Sequence, residues 1–367
     1  MKIALIQDWL TELGGAEKVF AELYKIYPEA DIFTIVYNEE VLNKLGIPKE
    51  KVKTSFIQKL PFAQKFYRNF LPIFSKVVED FDLTPYDLII SSSYCVAKGV
   101  LTNANQTHIC YCHSPVRYAW DLYQQYLNES NLNNEGPKGR LVKNVLHDLR
   151  IWDVASSNRV DHFISNSNYI AKRIFKVYRR EATTIYPPVA VSDFNPTRPK
   201  EDFYFTCSRM VPYKKIDIIV DAFRNMPDKK LIVIGTGPDM NKIQKLKGSN
   251  VEILGYQPFS VLKDYMERAK AFVFAAEEDF GITPVEAQAC GTPVIAYGKG
   301  GALETVVDKH TGIFFYDQTA LAIAHAVHEF EQIEALFERE KIVVHARKFS
   351  TENFTGKILD FISSKMA

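Results

Sequence analysis

The chain has 367 residues, 47% of them hydrophobic and 24% charged, and a net charge of +1. This composition excludes a disordered chain and supplies enough apolar material for two packed cores. The near-neutral balance excludes a global field that draws the protein to nucleic acid or to a membrane, so an anionic ligand must be met by a local site.

The opening run Met1 to Ile6 is too short for a signal peptide and reads as a first buried strand. No segment reaches the roughly 20 apolar residues of a membrane span. The five cysteines, Cys95, Cys110, Cys112, Cys207 and Cys290, are sparse and lack paired zinc spacing. A reducing cytoplasm is the expected compartment.

In chain order, the first strand, Ile3 to Gln7, runs into Gly14-Gly15 and a helix over Ala16 to Tyr27. Val19, Phe20, Leu23 and Ile26 share one apolar face of that helix. Two glycines ahead of a helix N-terminus allow a ligand close to free amides, or they simply make a tight turn. Strands follow at Asp31 to Tyr37, Asp87 to Ser91, His108 to Cys112, His162 to Ser165 and Thr183 to Tyr186. Before the strand at Asp87, the stretch Lys59 to Phe74 mixes basic and aromatic residues. Phe62, Phe66, Tyr67 and Phe70 stand at helical spacing, as in a basic amphipathic segment at a membrane surface or a core-facing helix. Asp80-Phe81-Asp82 precedes a strand and does not follow one, which favours surface charge over a metal motif.

Proline density from Pro187-Pro188 to Pro196 and Pro199 marks the domain boundary. The second half repeats the pattern with strands at Tyr204 to Cys207, Leu231 to Ile234, Val251 to Leu254, Ala271 to Ala275, Val294 to Ala296 and Ile313 to Phe315. Strands alternating with helices predict two α/β domains with parallel sheets. Ligands on such sheets bind beyond the carboxyl ends of the strands.

Arg209 and Lys214 follow the first strand of the second half and suit a diphosphate, although solvated surface charge is the alternative. Gly235-Thr236-Gly237 follows the next strand, but Met240 stands where a dinucleotide fingerprint has its third glycine. That argues against an NAD dehydrogenase and for a turn offering amides to a nucleotide. The densest signal is Glu278 to Ala287, with Pro284 in the first turn of a helix. Glu286 falls within that turn, where a helix-dipole carboxylate is the alternative. Glu278 in the preceding loop is either a hydroxyl acceptor or an exposed acid. His113, at a strand end, is either a site residue or a satisfied histidine.

These residues resemble glycosyltransferase family 4, a retaining family with the GT-B fold. The resemblance is carried by Gly14-Gly15, by Ser208-Arg209 with Lys214, and by Glu278 and Glu286 at E-x7-E spacing. Pro284, Ala289 to Val294 and Ile185 to Val189 add to it. Asp8-Trp9-Leu10 with Gly14 to Glu17, and His113-Ser114-Pro115 with Arg117-Tyr118 and Trp120-Asp121, look most like mannosyltransferases of bacterial surface polysaccharide. The resemblance implies two Rossmann-like, doubly wound domains facing a central cleft. Residues 1–188 would form the acceptor side and 189–345 the nucleotide-sugar domain, with a C-terminal helix over 346–367 packing back toward the first domain.

It further implies roles. Arg209 and Lys214 neutralise the donor diphosphate. Glu286 accepts from the ribose. Glu278 and the segment Phe280, Gly281, Ile282 and Thr283 hold the hexose. Gly235 and Gly237 border the nucleotide, Gly14 and Gly15 approach the diphosphate, and His113 sits near the reacting centre. Arg117, Tyr118, Trp120 and Asp121 are assigned to the acceptor, with interior packing as the alternative for Trp120. Lys215 stands where many relatives have glycine. The implied reaction moves a hexose, by preference mannose from GDP-mannose, to a saccharide or lipid-linked acceptor of cell-surface polysaccharide. No metal or other cofactor is expected, and the enzyme would work at the inner face of the membrane, touching it through Lys59 to Phe74. A UDP-sugar transferase and a nucleotide-sugar epimerase are the rival readings.

Overall fold

Short apolar runs bounded by turn residues become the strands of two parallel sheets. The computed structural model describes residues 1–130, 132 and 136–366. The chain forms two units, one of residues 1–187 with 354–366 and one of residues 188–353.

The first unit holds β1 (Ile3–Gln7), β2 (Asp31–Thr34), β3 (Val52–Thr54), β4 (Leu88–Ser93), β5 (Thr107–Cys112), β6 (His162–Ser165) and β7 (Ala182–Thr184). Their order is β3-β2-β1-β4-β5-β6-β7, with every neighbour parallel. All six residues of β4 are buried, as a central strand covered on both faces requires. One face packs Ile6, Phe33, Ile89 and Phe74; the other packs Leu5, Ile90 and Tyr111 beneath the helix Gly15–Ile26. Phe354, Ile358 and Ile362 of the terminal helix Thr351–Met366 join this second face.

The second unit holds β8 (Tyr204–Cys207), β9 (Leu231–Ile234), β10 (Val251–Ile253), β11 (Ala271–Phe274), β12 (Val294–Tyr297) and β13 (Gly312–Phe315), ordered β10-β9-β8-β11-β12-β13. This is the doubly wound order, with its reversal between β8 and β11. In the first unit the reversal lies between β1 and β4.

Three sequence expectations need correction. The strand expected over Asp31 to Tyr37 ends at Thr34, and Tyr37 makes only an isolated bridge to Leu10. The terminal helix begins at Thr351 and not at residue 346, and residues 346–353, its first turn included, stay with the second unit. Ala346 and Phe349 are buried there, and the Phe349 ring lies 5.5 Å from that of Phe280. Lys59 to Phe74 is not one helix. A short helix, Ala63–Phe66, sits between 3-10 turns at Phe56–Lys59 and Tyr67–Ile73. Pro72, lacking an amide hydrogen, prevents regular helix there.

The first unit also buries a charge pair. Lys98 donates to Asp153 at 2.5 Å, and their side chains are 2% and 0% exposed. Trp120 Nε1 and the Tyr178 hydroxyl donate to the same carboxylate, at 2.7 Å and at 3.0 and 2.9 Å. Lys98 also reaches Ser156 Oγ. Removing one member strands the other charge, which costs about 3–5 kcal/mol. Lys98→Met should lower the first unit's stability by about that amount, and adding Asp153→Asn should recover part of it. Urea unfolding followed by tryptophan fluorescence measures this, because Trp9, Trp120 and Trp152 all lie in the first unit.

Candidate functional site

In the second unit, four loops leave the carboxyl ends of β8, β9, β11 and β12. The loops after β8 and β9 run backbone to backbone. Ser208 N donates to Ile234 O at 3.0 Å, Met210 N to Thr236 O at 2.9 Å and Asp239 N to Met210 O at 3.1 Å. Gly235 has φ +144°, and a Cβ there would strike Ser208 O; a Cβ on Gly237 would strike Met210 O. The first physical requirement for this glycine pair is therefore the approach of two loops.

The loop after β11 is fixed in the same way. Gly301 N donates to Glu278 O at 2.8 Å, Glu278 bridges Gly300, and Gly300 adopts φ +68°. This holds Glu278 where its side chain pairs with Lys214 from the loop after β8. Their side chains are 19% and 20% exposed, so the pair is shielded without being sealed. Arg209, on the same loop as Lys214, is exposed. The buried Cys207 thiol, the last residue of β8, reports the local field. Burial raises its pKa most; Glu286 and Glu278 add to the rise and Lys214 opposes it. Lys214, Glu278 and Glu286 thus all act on one point at the strand reversal.

Gly281, at φ +88°, caps the helix Ile282–Ala289. Pro284 and Glu286 are buried, and Glu286 lies on the second turn, one turn later than the sequence reading placed it. Phe280 is 4% exposed; Ile282 and Thr283 are half-buried at the helix entrance. Lys215 adopts φ 58° and enters the helix Ile216–Arg224 in the left-handed region that glycine favours. Chemically, the arrangement offers cations, helix-entrance amides and two carboxylates at the mouth of one sheet, a set suited to an anion that carries hydroxyl groups.

The first unit places different chemistry at its own strand reversal. Asp8, fully buried after β1, accepts from the amides of Tyr94, Cys95, Val96 and Ala97 at 2.6–3.0 Å. It thereby ties the loop after β1 to the loop after β4. Gly14 precedes the helix and Gly15 is its first residue. A Cβ on Gly14 would lie 2.8 Å from Glu17 Oε2. Glu17 is 6% exposed and accepts from the Tyr94 hydroxyl at 3.1 Å. Burial pushes its carboxyl up to about 7. Gln7 is buried with neither side-chain polar atom hydrogen-bonded.

His113 follows β5, is 9% exposed, and its Nε2 lies 2.9 Å from Ser92 Oγ. Burial pulls its imidazole down to about 3, so it is neutral near pH 7. His108, in the same strand, touches Ser91 Oγ and Arg159 O and is likewise pulled down by burial, to about 4. Tyr118 and Trp120 pack against the first unit's core; the Tyr118 hydroxyl meets Cys95 Sγ and the Trp120 indole is committed to Asp153. Arg117 is half-buried beside them. Asp121 pairs with Arg173, which also donates to Ser114. Asp82 accepts from the Thr84 amide and hydroxyl, a local turn role.

Sequence reasoning gave Asp8 and Glu17 no role of their own and did not single out Gln7, Lys98 or Asp153. A carboxylate directly after a first strand, before a glycine pair, was the available signal for Asp8. The Lys98–Asp153 pair joins residues 55 positions apart and carries no local signal.

The fold these parts define is the GT-B fold. The chain superimposes over 99% of its length on all of Anabaena HepE, solved with UDP and glucose, at a TM-score of 0.71 and 19% identity. Residues 191–349 match the family model described as glycosyl transferases group 1. An uncharacterised glycosyltransferase of Methanocaldococcus jannaschii is 29% identical over 193 residues, which are 50% of this chain and 52% of that protein. The chain thus spans about half the length of that relative. A GDP-mannose-dependent phosphatidylinositol monomannoside mannosyltransferase of Corynebacterium glutamicum is 32% identical over 142 residues, 33% of this chain and 37% of its own.

Glu17 gives a direct electrostatic test. Its carboxyl holds a proton in the folded state up to about pH 7 but ionises near 4.5 when unfolded. The folded state therefore binds more protons between these values, and Glu17's contribution to stability, complete below about 4.5, is lost as pH rises toward 7. Glu17→Gln cannot ionise. The variant should gain roughly 3 kcal/mol on wild type between pH 4.5 and 7.5. Subtracting paired unfolding curves cancels the groups that do not interact with Glu17, and a pH-independent difference would contradict the assignment.

Proposed function

We propose that the protein is a retaining glycosyltransferase that moves a hexose from a nucleoside-diphosphate sugar to a saccharide or lipid-linked acceptor in cell-surface polysaccharide synthesis. The observation that carries this reading is the meeting of Lys214 and Glu278 at the strand reversal of the second unit, beside Arg209 and inside the segment that matches the family model. Breaking a glycosyl–phosphate bond leaves negative charge on the diphosphate and positive charge on the sugar. Lys214 is a cation held by Glu278 before the reaction, with Arg209 on the same loop, and such preorganised charge lowers the barrier without reorganisation. Glu278 holds Lys214 in place and offers its remaining lone pairs to hexose hydroxyls. Glu286, one helical turn in, accepts from the ribose. No metal is required in this scheme, because the two cations take the charge of the leaving group.

The first unit takes the acceptor. Its acids and histidine are held uncharged or internally paired, which favours neutral hydroxyl-bearing ligands. His113, neutral and buried beside Ser92, is placed to accept or donate one hydrogen bond without adding charge. Arg117 and Asp121 border it in sequence.

Mannose from GDP-mannose is the donor we favour, supported by the Corynebacterium relative named for that donor. A UDP-hexose is the second reading, supported by the likeness of the whole fold to HepE, which was solved with UDP-glucose. Thermal-shift titration with GDP-mannose, UDP-glucose, GDP and UDP separates them. A ligand bound at 100 times its dissociation constant adds about 2.7 kcal/mol to the stability of the folded state, so only the cognate base should raise Tm by several degrees. Turnover without acceptor to an epimerised nucleotide sugar would overturn the transferase reading. Arg209→Ala and Lys214→Ala should each lower kcat by about 100-fold or more, measured by donor consumption in the presence of acceptor. Wild-type turnover by the double variant would remove the basis of the mechanism.

A further inference from the structure

At the amino ends of β1 and β2 the first unit holds a cavity of about 610 Å³. That volume lies within the roughly 300–1,000 Å³ of small-ligand sites. Five residue steps along β1, at about 3.3 Å each, separate Ile3 at this cavity from Asp8 at the strand reversal, roughly 17 Å in all. The cavity is therefore a place of its own, on the opposite edge of the sheet from His113 and Ser92. Its floor is firm, because Ile3, Ile26 and Tyr27 line it while packing against the core beneath the helix Gly15–Ile26.

Two of its polar groups have capacity to spare. Tyr27, the residue that ends the helix, is half-buried, and burial raises its phenol. Its hydroxyl bonds to no described residue. Asp31 is fixed through one oxygen only. The Tyr86 hydroxyl donates to its Oδ2 at 2.5 Å, and Lys53 donates to the same oxygen at 3.1 Å and to the Tyr86 hydroxyl at 2.7 Å. The Tyr86 hydroxyl first, and Lys53 with it, hold the Asp31 carboxyl below its ordinary range, so it is a charged acceptor at neutral pH. Among the described residues nothing donates to Asp31 Oδ1, and the side chain is 35% exposed.

The lining also decides the class of ligand. Among the side chains around the cavity, Glu29 and Asp31 balance Lys2 and Lys53, so there is no surplus cation for a phosphate. A ring with an unspent hydroxyl, apolar faces from proline and isoleucine, and a carboxylate held in place suit a neutral molecule with a C–H face and a hydroxyl-rich edge. A pyranose has both.

We propose that this cavity is a secondary binding site for a neutral oligosaccharide, with Tyr27 against a sugar face and Asp31 accepting from sugar hydroxyls. The choice of a saccharide among neutral polyols rests on the function proposed above. In that setting the site would retain a saccharide chain away from the reacting centre.

The test is hydrogen–deuterium exchange of the full chain with millimolar mannohexaose, maltohexaose or hexagalacturonate, paired with calorimetric titration. At least one neutral hexaose should slow exchange over Tyr27 to Asp31 by about twofold or more, and the anionic hexagalacturonate should not. Tyr27→Phe, which keeps the ring and the fold, should weaken binding by about two- to fivefold through the lost hydroxyl. Tyr27→Ala should weaken it by about fivefold or more. The proposal is overturned if neither neutral hexaose slows exchange there, if hexagalacturonate protects equally, or if both Tyr27 variants bind as wild type does. It is equally overturned if protection is confined to residues 92–121, which would assign the binding to the strand reversal. Thermal shifts with GDP-mannose and UDP-glucose on the same samples keep the two readings apart. Protection at Tyr27 to Asp31 without a nucleotide shift supports this site and defeats the transferase, and a nucleotide shift without that protection does the reverse.

Discussion

A lysine and a glutamate from loops 64 residues apart in sequence meet where the second sheet reverses its strand order. Everything proposed for that unit depends on this contact, and the contact depends on backbone. Lys214 is positioned because its loop is hydrogen-bonded to the loop after β9; Glu278 is positioned because its carbonyl accepts from Gly301. Both approaches are close enough that glycines at 235, 237 and 300 are required by sterics before any ligand is considered. The ion pair itself is partly solvated and adds little to stability. Its value lies in holding a cation at a defined point with limited freedom.

The two units share a topology and differ in charge. In the second, cations and acids at the strand reversal remain partly open to solvent. In the first, burial works against charge at four groups near the strand ends: the Asp8 and Glu17 carboxyls are raised and the His113 and His108 imidazoles are lowered. The four amides that converge on Asp8 oppose its rise and keep its loop connected to the loop after β4. The same doubly wound plan thus presents two strand reversals of different electrostatic character.

The fold was legible to the extent that burial writes itself into short sequence windows. Central strands such as Leu231–Ile234 and Tyr204–Cys207 are continuous apolar runs and were read to the residue. The edge strand Val52–Thr54 was missed because its half-exposed, lysine-flanked residues carry no such run. Lys59 to Phe74 was misread as a helix because aromatic spacing mimics a helical face; the ring at Phe62 points to water, while Tyr67 and Phe74 are buried. Candidate site residues were legible where a motif keeps them within a few positions, as with Glu278 and Glu286. They were illegible where burial alone creates the chemistry. Nothing local distinguishes Glu17 from a solvated helix acid, and only the placement of Tyr94, 77 residues away, shows that its carboxyl is enclosed.

That distinction also explains how the buried charges of the first unit relate to the residues assigned to the acceptor. Asp8 fixes the amides of residues 94–97; Lys98, the next residue, pairs with Asp153; and Asp153 accepts from Trp120. The chain of contacts runs without a break from the loop before Gly14 to the segment Arg117 to Asp121. Each link is a charged or polar group whose alternative is an unsatisfied buried atom, so no link relaxes cheaply. Trp120 is therefore a strut between Asp153 and the first unit's core. Its indole is spent on Asp153, which holds the ring in one direction. A hydrophobic pair in place of Lys98 and Asp153 could match the stability and would still lose this orientation, because apolar contacts do not dictate the direction in which Trp120 must point.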